Sequence, residues 1–310
     1  MNPFSSSQIR GTWATLLLPI REDDSIDWAR LADEIDVLTA SGAQGIYSNG
    51  TACEFYAQSE KEFDRVGSLL AEKCERASVP FQIGASHMSP QLSLERVRRA
   101  AQWKPAAIQV VLPDWYPVTN AEACDFLAKV AEVCAPIGLV LYNPPHAKRV
   151  LQPEDFGVLA QSVPSLLGVK VARSDAEWCG EFKRHAGRLS LFVPGNNLAT
   201  GHGNGAHGSY SNVAALEPAG AARWNQLMEL DIDAALGIER RIVQFMKGYI
   251  LPFRERAGIS NQGLDKLLAA VGGWADVGTR LRWPYRWVPT EDALALRPVA
   301  RRLIPELFEH

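Results

Sequence analysis

From Thr12 to about Asn212, short apolar runs rich in β-forming residues alternate with longer amphipathic stretches. The runs predict strands at 12–19, 45–48, 80–85, 107–112, 139–142, 167–171, 191–193 and 208–211. Apolar positions at helical spacing predict helices such as 28–39, 61–75, 121–134 and 177–185 between them. Strand after helix after strand is the signature of a parallel sheet, and eight strands suffice to close it, so the expectation is an α/β fold, a (β/α)8 (TIM) barrel. A doubly wound open sheet shares the alternation, but the strand count favours the barrel.

The pattern changes after residue 217. Residues 218–310 carry only helical periodicity, near 219–229, 232–249, 264–271 and 291–308. No low-complexity linker precedes this block. It is therefore expected to pack on the 1–217 barrel as a C-terminal helical extension of the same structural unit.

Composition narrows the function classes. With 310 residues, 47% hydrophobic and 22% charged, the chain can bury a sizeable core. A net charge of -3 gives no electrostatic reason to expect nucleic acid or an anionic membrane as partner. The polar first residues lack a signal-peptide core, and no apolar run approaches the roughly 18 residues of a membrane span. Five cysteines without metal-site spacing read as reduced thiols of a cytoplasmic protein.

In such barrels the reactive side chains project from the carboxyl ends of the strands. Lys170, in the run Leu167 to Ala172, is a cation inside an apolar strand. Burial there would lower its pKa and supply the neutral amine that attack on a carbonyl requires. Alternation places Gly168 on the same face, where it leaves room beside the lysine. Tyr142 ends the preceding strand, about 5 Å away across the sheet, where a phenol can move protons beside an imine. The loop after strand two, Ser48 to Tyr56, offers small residues and a hydroxyl at Gly50, Thr51 and Ala52, whose backbone N–H groups can hold a carboxylate.

Together these residues resemble the dihydrodipicolinate synthase / N-acetylneuraminate lyase family of Schiff-base (class I) aldolases. Gly50-Thr-Ala-Cys-Glu54 looks like that family's Gly-Thr-Thr-Gly-Glu loop. Tyr142-Asn-Pro-Pro matches its Tyr-Asn-x-Pro, and Gly168-Val-Lys170 its Gly-Ile/Val-Lys. Gly195-Asn-Asn is similar to its Gly-Asp-Asp stretch, and Arg282-Trp-Pro284 to the Arg-x-Pro before the last helix. The resemblance implies a lyase in which Lys170 forms a Schiff base with a small 2-oxo acid, Tyr142 is the acid/base and Thr51 relays protons. Glu54 would support the loop from behind, and no metal or other cofactor is implied. It also implies a homo-oligomer, a dimer or tetramer, in which Trp115 or Tyr116 enters the neighbour's site.

The departures concern substrate. The arginine that dihydrodipicolinate synthases carry five residues after the tyrosine is Ala147 here, the second loop hydroxyl is Ala52, and the loop glycine is Cys53. His146, Lys148 and Arg149 flank the missing arginine and are candidates to bind a carboxylate, without its bidentate geometry in the case of lysine. Two reactions stay open: carbon–carbon cleavage or condensation, and dehydration of a 2-oxo-3-deoxy sugar acid. A non-catalytic metabolite-binding barrel is the alternative from another class.

Three further signals point elsewhere only weakly. Gly203 to Gly208 satisfies G-x-G-x-x-G but runs into a strand end rather than a helix, so it is read as part of strand eight and the pocket rim, with Tyr210 contacting substrate. His87, His146, His202 and His207 lack metal-ligand spacing. The Arg280 to Trp287 stretch mixes cations and aromatics, and is assigned to packing or a subunit contact rather than to single-stranded nucleic acid.

Overall fold

The computed structural model describes residues 2–210 and 212–309. Eight parallel strands close on themselves: β1 (Gly11–Thr15), β2 (Gly45–Ser48), β3 (Phe81–Gly84), β4 (Ala107–Val110), β5 (Leu139–Tyr142), β6 (Leu166–Lys170), β7 (Ser190–Phe192) and β8 (Gly208–Tyr210). Closure is made by β8 against β1, where Gly11, Thr12 and Trp13 lie opposite Gly208, Ser209 and Tyr210. The last position of the predicted 208–211 strand, Ser211, lies outside the described residues.

The helices between the strands are α1 (Trp28–Ala40), α2 (Glu60–Ala77), α3 (Pro90–Gln102), α4 (Asn120–Cys134), α5 (Pro153–Ser162), α6 (Ala176–Ala186), α7 (Leu198–Gly203) and α8 (Asn212–Leu216). Local chemistry sets their starts. In α2 and α4, Ser59 with Glu62 and Thr119 with Glu122 form reciprocal capping boxes that satisfy the first free backbone N–H groups. Each helix buries one apolar stripe on the sheet, as Phe63, Val66, Leu70 and Cys74 do in α2.

Large side chains fill the barrel interior. Trp13, Tyr47, Val140, Phe192 and Tyr210 form an inner cluster, with Ile9 closing its amino-terminal end. The Tyr210 ring lies 5.0 Å from that of Tyr47 and 4.9 Å from that of Phe192. The carboxyl end of the barrel therefore has a solid aromatic floor rather than a pore.

The C-terminal block comprises α9 (Pro218–Leu230), α10 (Ile232–Phe245), α11 (Leu251–Ala257), α12 (Asn261–Gly272), α13 (Thr290–Leu303) and α14 (Pro305–Phe308). It contacts the barrel through α9 on β1 and α12 on α8. The helix predicted over 232–249 passes into a π-helical turn at Met246–Ile250, just ahead of Pro252, whose missing N–H cannot continue the ladder. Pro305 divides the predicted 291–308 helix in the same way. The predicted 12–19 strand ends at Thr15, because Leu17 N–H donates to the Glu34 carboxylate at 2.7 Å instead of to a neighbouring strand.

Candidate active site

Tyr142 and Lys170 are register partners at the carboxyl ends of β5 and β6. Leu139 pairs with Leu166, but Val140 pairs with Gly168, so Leu167 is skipped. This one-residue slip brings the lysine level with the tyrosine, on the same side of the sheet. Lys170 Nζ stands 4.3 Å from the Tyr142 ring centroid and 5.2 Å from that of Tyr210. Among the described residues no hydrogen bond is made to Lys170 Nζ. Gly168 serves a purpose other than the expected one: an added Cβ would sit 2.9 Å from the Ser190 carbonyl oxygen, so it is the approach of β7, not the lysine, that requires glycine.

Burial lowers the Lys170 ammonium from its ordinary value to about 8, against an opposing pull from the nearby Asp265 carboxylate. The same burial raises the Tyr142 phenol to about 12, and Asp265 adds to the rise. Asp265 itself is pushed up to about 6 by burial, held back by Lys170 and Arg254. An amine that loses its proton near neutrality beside a phenol that keeps it can attack a carbonyl and then be supplied with a proton.

These groups line a cavity of about 300 Å3 at the strand carboxyl ends. Thr51 and Ala52 form part of its wall, with Gly195, Asn196 and Tyr210 opposite. Asn212 donates to Asn196 Oδ1 at 3.1 Å there. The Tyr210 hydroxyl is engaged with Gln82 Oε1 at 2.5 Å inside the barrel. A second chamber adjoins the first, and Thr51 and Tyr142 line both. Its walls include Phe55, Val111, Leu112 and Val118, with His87 and His146 among the polar groups. Ala147, at the position of the missing arginine, also lines it. Among the described residues no hydrogen bond joins the Thr51 and Tyr142 hydroxyls.

The loop carrying Thr51 is held from below by a buried ion pair. Glu54 takes a left-handed backbone conformation (φ 50°), which turns its carboxylate inward. Its Oε1 lies 2.9 Å from Lys266 Nζ, with both side chains wholly buried, and Oε2 accepts from the Arg282 N–H at 2.9 Å. The Arg282 guanidinium donates to Glu62 and to the Ala57 and Asp24 carbonyls, and holds the Glu62 carboxyl down at about 2. Arg282 and Glu54, far apart in sequence, thus form one clamp on the loop.

Other expected residues fall elsewhere. Gly50 lines neither chamber: an added Cβ would stand 2.3 Å from the Tyr47 ring, so its place is steric. Lys148 is turned to the surface, where Nζ donates to the Trp115 carbonyl at 2.6 Å and lies 5.0 Å over its ring. Arg149 lines the second chamber but is tied to Val118, Asn120 and Asp155. Among the described residues, only His146 of the three flanking residues faces the chamber without such ties. Trp115 and Tyr116 are 76% and 79% exposed and line neither chamber of their own chain. Gly205 to His207 lies at the opposite, amino-terminal end of the barrel, with His202 and Arg10, so among the described residues only the Tyr210 end of that segment reaches the pocket. The four histidines are split between the two ends. The Arg280 to Trp287 stretch packs on the chain, through Arg280 to Asp24 at 3.0 Å and the Tyr285 ring to Tyr56 at 5.1 Å.

Three polar residues of the cavity lie on the C-terminal helices rather than at strand ends: Arg254, Asn261 and Asp265, beside the apolar Met246, Leu251, Leu264 and Leu268. A signal for one of them does exist. In α12, Asp265 and Lys266 are adjacent charges within the apolar run Leu264 to Val271. Two charges side by side on a helix buried all round must each find a polar environment. Lys266 finds Glu54, and Asp265 faces the Lys170 cavity.

A closed eight-stranded barrel with a desolvated lysine beside a tyrosine at its carboxyl end defines the class of this protein. Residues 8–297 match the family model described as the dihydrodipicolinate synthetase family. The chain belongs to that family. Over 197 residues it is 28% identical to a 4-hydroxy-tetrahydrodipicolinate synthase of Acidobacterium capsulatum, covering 62% of this chain and 64% of that protein. Over 187 residues it is 23% identical to an N-acetylneuraminate lyase of Escherichia coli O1:K1 / APEC, covering 60% and 63%. These matched stretches span somewhat under two thirds of both curated relatives. Among solved structures, a dihydrodipicolinic acid synthase family protein of E. coli K12, in complex with pyruvate, superimposes with a TM-score of 0.83 at 19% identity over 95% of this chain and 98% of that one. A sialic acid aldolase of Ruminococcus gnavus superimposes with a TM-score of 0.81 at 18% identity over 97% and 98%. At such identities the superpositions bear on the fold alone. No helix among the described residues is long and apolar enough to cross a membrane.

Proposed function

We propose that the protein is a lyase whose Lys170 forms a Schiff base with a small 2-oxo acid. The observation that carries this reading is the desolvated Lys170 amine, facing a cavity and standing 4.3 Å from the Tyr142 ring. The neutral amine adds to the C2 carbonyl, and loss of water leaves a protonated imine. That imine draws electrons from the bond to C3, so a proton or an aldehyde fragment departs from C3 and an enamine remains. The enamine then takes a proton, adds to an aldehyde, or expels a hydroxyl from C4. Tyr142 carries protons to and from these positions, and Thr51, on the wall shared by both chambers, relays them. The N–H groups of the Thr51–Ala52 turn bind the carboxylate of the oxo acid. The names of the curated relatives, a 4-hydroxy-tetrahydrodipicolinate synthase and an N-acetylneuraminate lyase, are in keeping with an enzyme of this kind.

The test is borohydride trapping. Pyruvate and longer 2-oxo acids are incubated with the protein and reduced, and the adduct is mapped by mass spectrometry. A mass increase on Lys170, absent in Lys170→Ala, is expected. Failure of every acid to label Lys170 would remove this function. The exposed Trp115 and Tyr116 further support an oligomer in which one of these rings covers a neighbour's second chamber. Sedimentation of the wild type and Trp115→Glu/Tyr116→Glu protein tests that, with a smaller species expected from the variant.

A further inference from the structure

We propose that Asp265 is a specificity-determining residue, whose carboxylate accepts a hydrogen bond from a hydroxyl on the part of the substrate beyond its 2-oxo acid head. The inference rests on the imine reading and extends it to a side of the cavity that the barrel strands do not build.

The cavity around Lys170 has two unlike walls. The strand ends supply the amine and the phenol, while α11 and α12 supply Arg254, Asn261 and Asp265. Asp265 is half-buried and lines the cavity, and among the described residues its carboxylate takes no hydrogen bond. Burying a carboxylate without a donor is costly, and here the cost shows as a carboxyl held well above its ordinary range. Once Lys170 has reacted, its nitrogen is tied to the substrate as a protonated imine, which keeps its charge but only one N–H to donate. A hydroxyl on the bound substrate would supply the missing donor. A second carboxylate at that point would instead meet a like charge, so the group reaching Asp265 is expected to be neutral and hydrogen-bonding. Polar neighbours continue along the same side: Asn196 and Asn212 line the cavity, and Arg254 lies exposed at its outer edge, donating to Asn261 Oδ1. Met246, Leu251, Leu264 and Leu268 line the same side, so the hydroxyl that reaches Asp265 would be set among apolar surface.

The experiment compares Asp265→Asn with the wild type in Lys170 trapping at about pH 9, above the point where the amine loses its proton, so that the lost carboxylate does not alter the amine's state. Pyruvate, which has no hydroxyl, and 2-oxo-3-deoxy acids hydroxylated at C4 and beyond are titrated separately. In the variant, half-saturation by the hydroxylated acids is expected to rise by about 10-fold or more, as for a lost hydrogen bond to a charged group, and that for pyruvate by less than about threefold. Retained pyruvate labelling also reports that the variant is folded. Equal changes for the two substrate types, or wild-type labelling by pyruvate without labelling by hydroxylated acids, would overturn this inference alone. No labelling of wild-type Lys170 by any acid would overturn the imine reading with it.

Discussion

Tyr142 lies opposite Lys170 because β6 skips Leu167 in its pairing with β5. In the register that begins at Leu139 and Leu166, Tyr142 would otherwise meet Val169, and the amine would sit on the other face of the sheet. In the proposed reaction the phenol serves the reacting carbons rather than holding the lysine, to which it makes no hydrogen bond among the described residues. Tyr142→Phe is expected to preserve the Lys170–pyruvate adduct while lowering turnover by about 10²–10⁴-fold. Trapping combined with steady-state rates checks it. Unimpaired turnover would exclude Tyr142 from proton transfer.

The pH dependence of adduct formation follows from the amine. Only neutral Lys170 attacks a carbonyl, so the initial rate of trapping with pyruvate should climb as pH rises and level off above about 8. The Tyr142 phenol, raised to about 12, keeps its proton over that range and adds no second inflection. Asp265 favours the ammonium form, so its removal in Asp265→Asn should move the inflection to lower pH. Rate against pH for both proteins reads this directly. A shift to higher pH would mean that Asp265 does not act on the amine through its charge.

Much of this architecture is legible in the residues themselves, for reasons that also explain what is not. Eight strand runs and the helices between them follow from local periodicity, which survives into the fold because each element buries one face. Lys170 and Tyr142 stand out because a cation and a phenol end otherwise apolar strands. Asp265 does not stand out in the same way, since its partner across the cavity is 95 positions away in the numbering and on another kind of element. Lys148 and Arg149 mislead for the opposite reason: their charges suit a carboxylate, but nearer acceptors at Trp115, Val118 and Asp155 engage them first. Side-chain reach and competition are not written in spacing.

The Glu54–Lys266 pair is wholly buried, and neither member can be lost alone without stranding the other. Glu54→Gln is expected to lower stability by about 3–5 kcal/mol, and Lys266→Met by a similar amount, because an unpaired charge is left in the interior. The double variant should lose clearly less than the sum. Urea denaturation of the three variants measures this. Strict additivity would show that the two groups act independently, which their 2.9 Å separation argues against.

Glu34 offers a separate pH effect, away from the site. It is wholly buried, with Oε1 accepting from Leu17 N–H at 2.7 Å and, among the described residues, no hydrogen-bond partner for Oε2. Burial raises its carboxyl from 4.5 to about 8, partly opposed by the Leu17 N–H and by Lys266. Between those values the native state holds the proton more firmly than the unfolded chain does. Unfolding then releases a proton, so rising pH favours the unfolded state, and the stability associated with protonated Glu34 declines from about pH 4.5 until it is exhausted above about 8. The decline should amount to a few kcal/mol, on the order of one for each pH interval crossed. Asp265, raised to about 6, adds a slope of the same sign at the acidic end, so the wild-type curve alone does not isolate Glu34. Glu34→Gln does, because the amide cannot titrate while the oxygen that accepts from Leu17 is kept. Urea denaturation at several pH values across this window should give a flatter curve for the variant than for the wild type. Parallel curves would mean that Glu34 is ionised in the native protein throughout, and that Lys266 offsets its burial far more strongly than the geometry suggests.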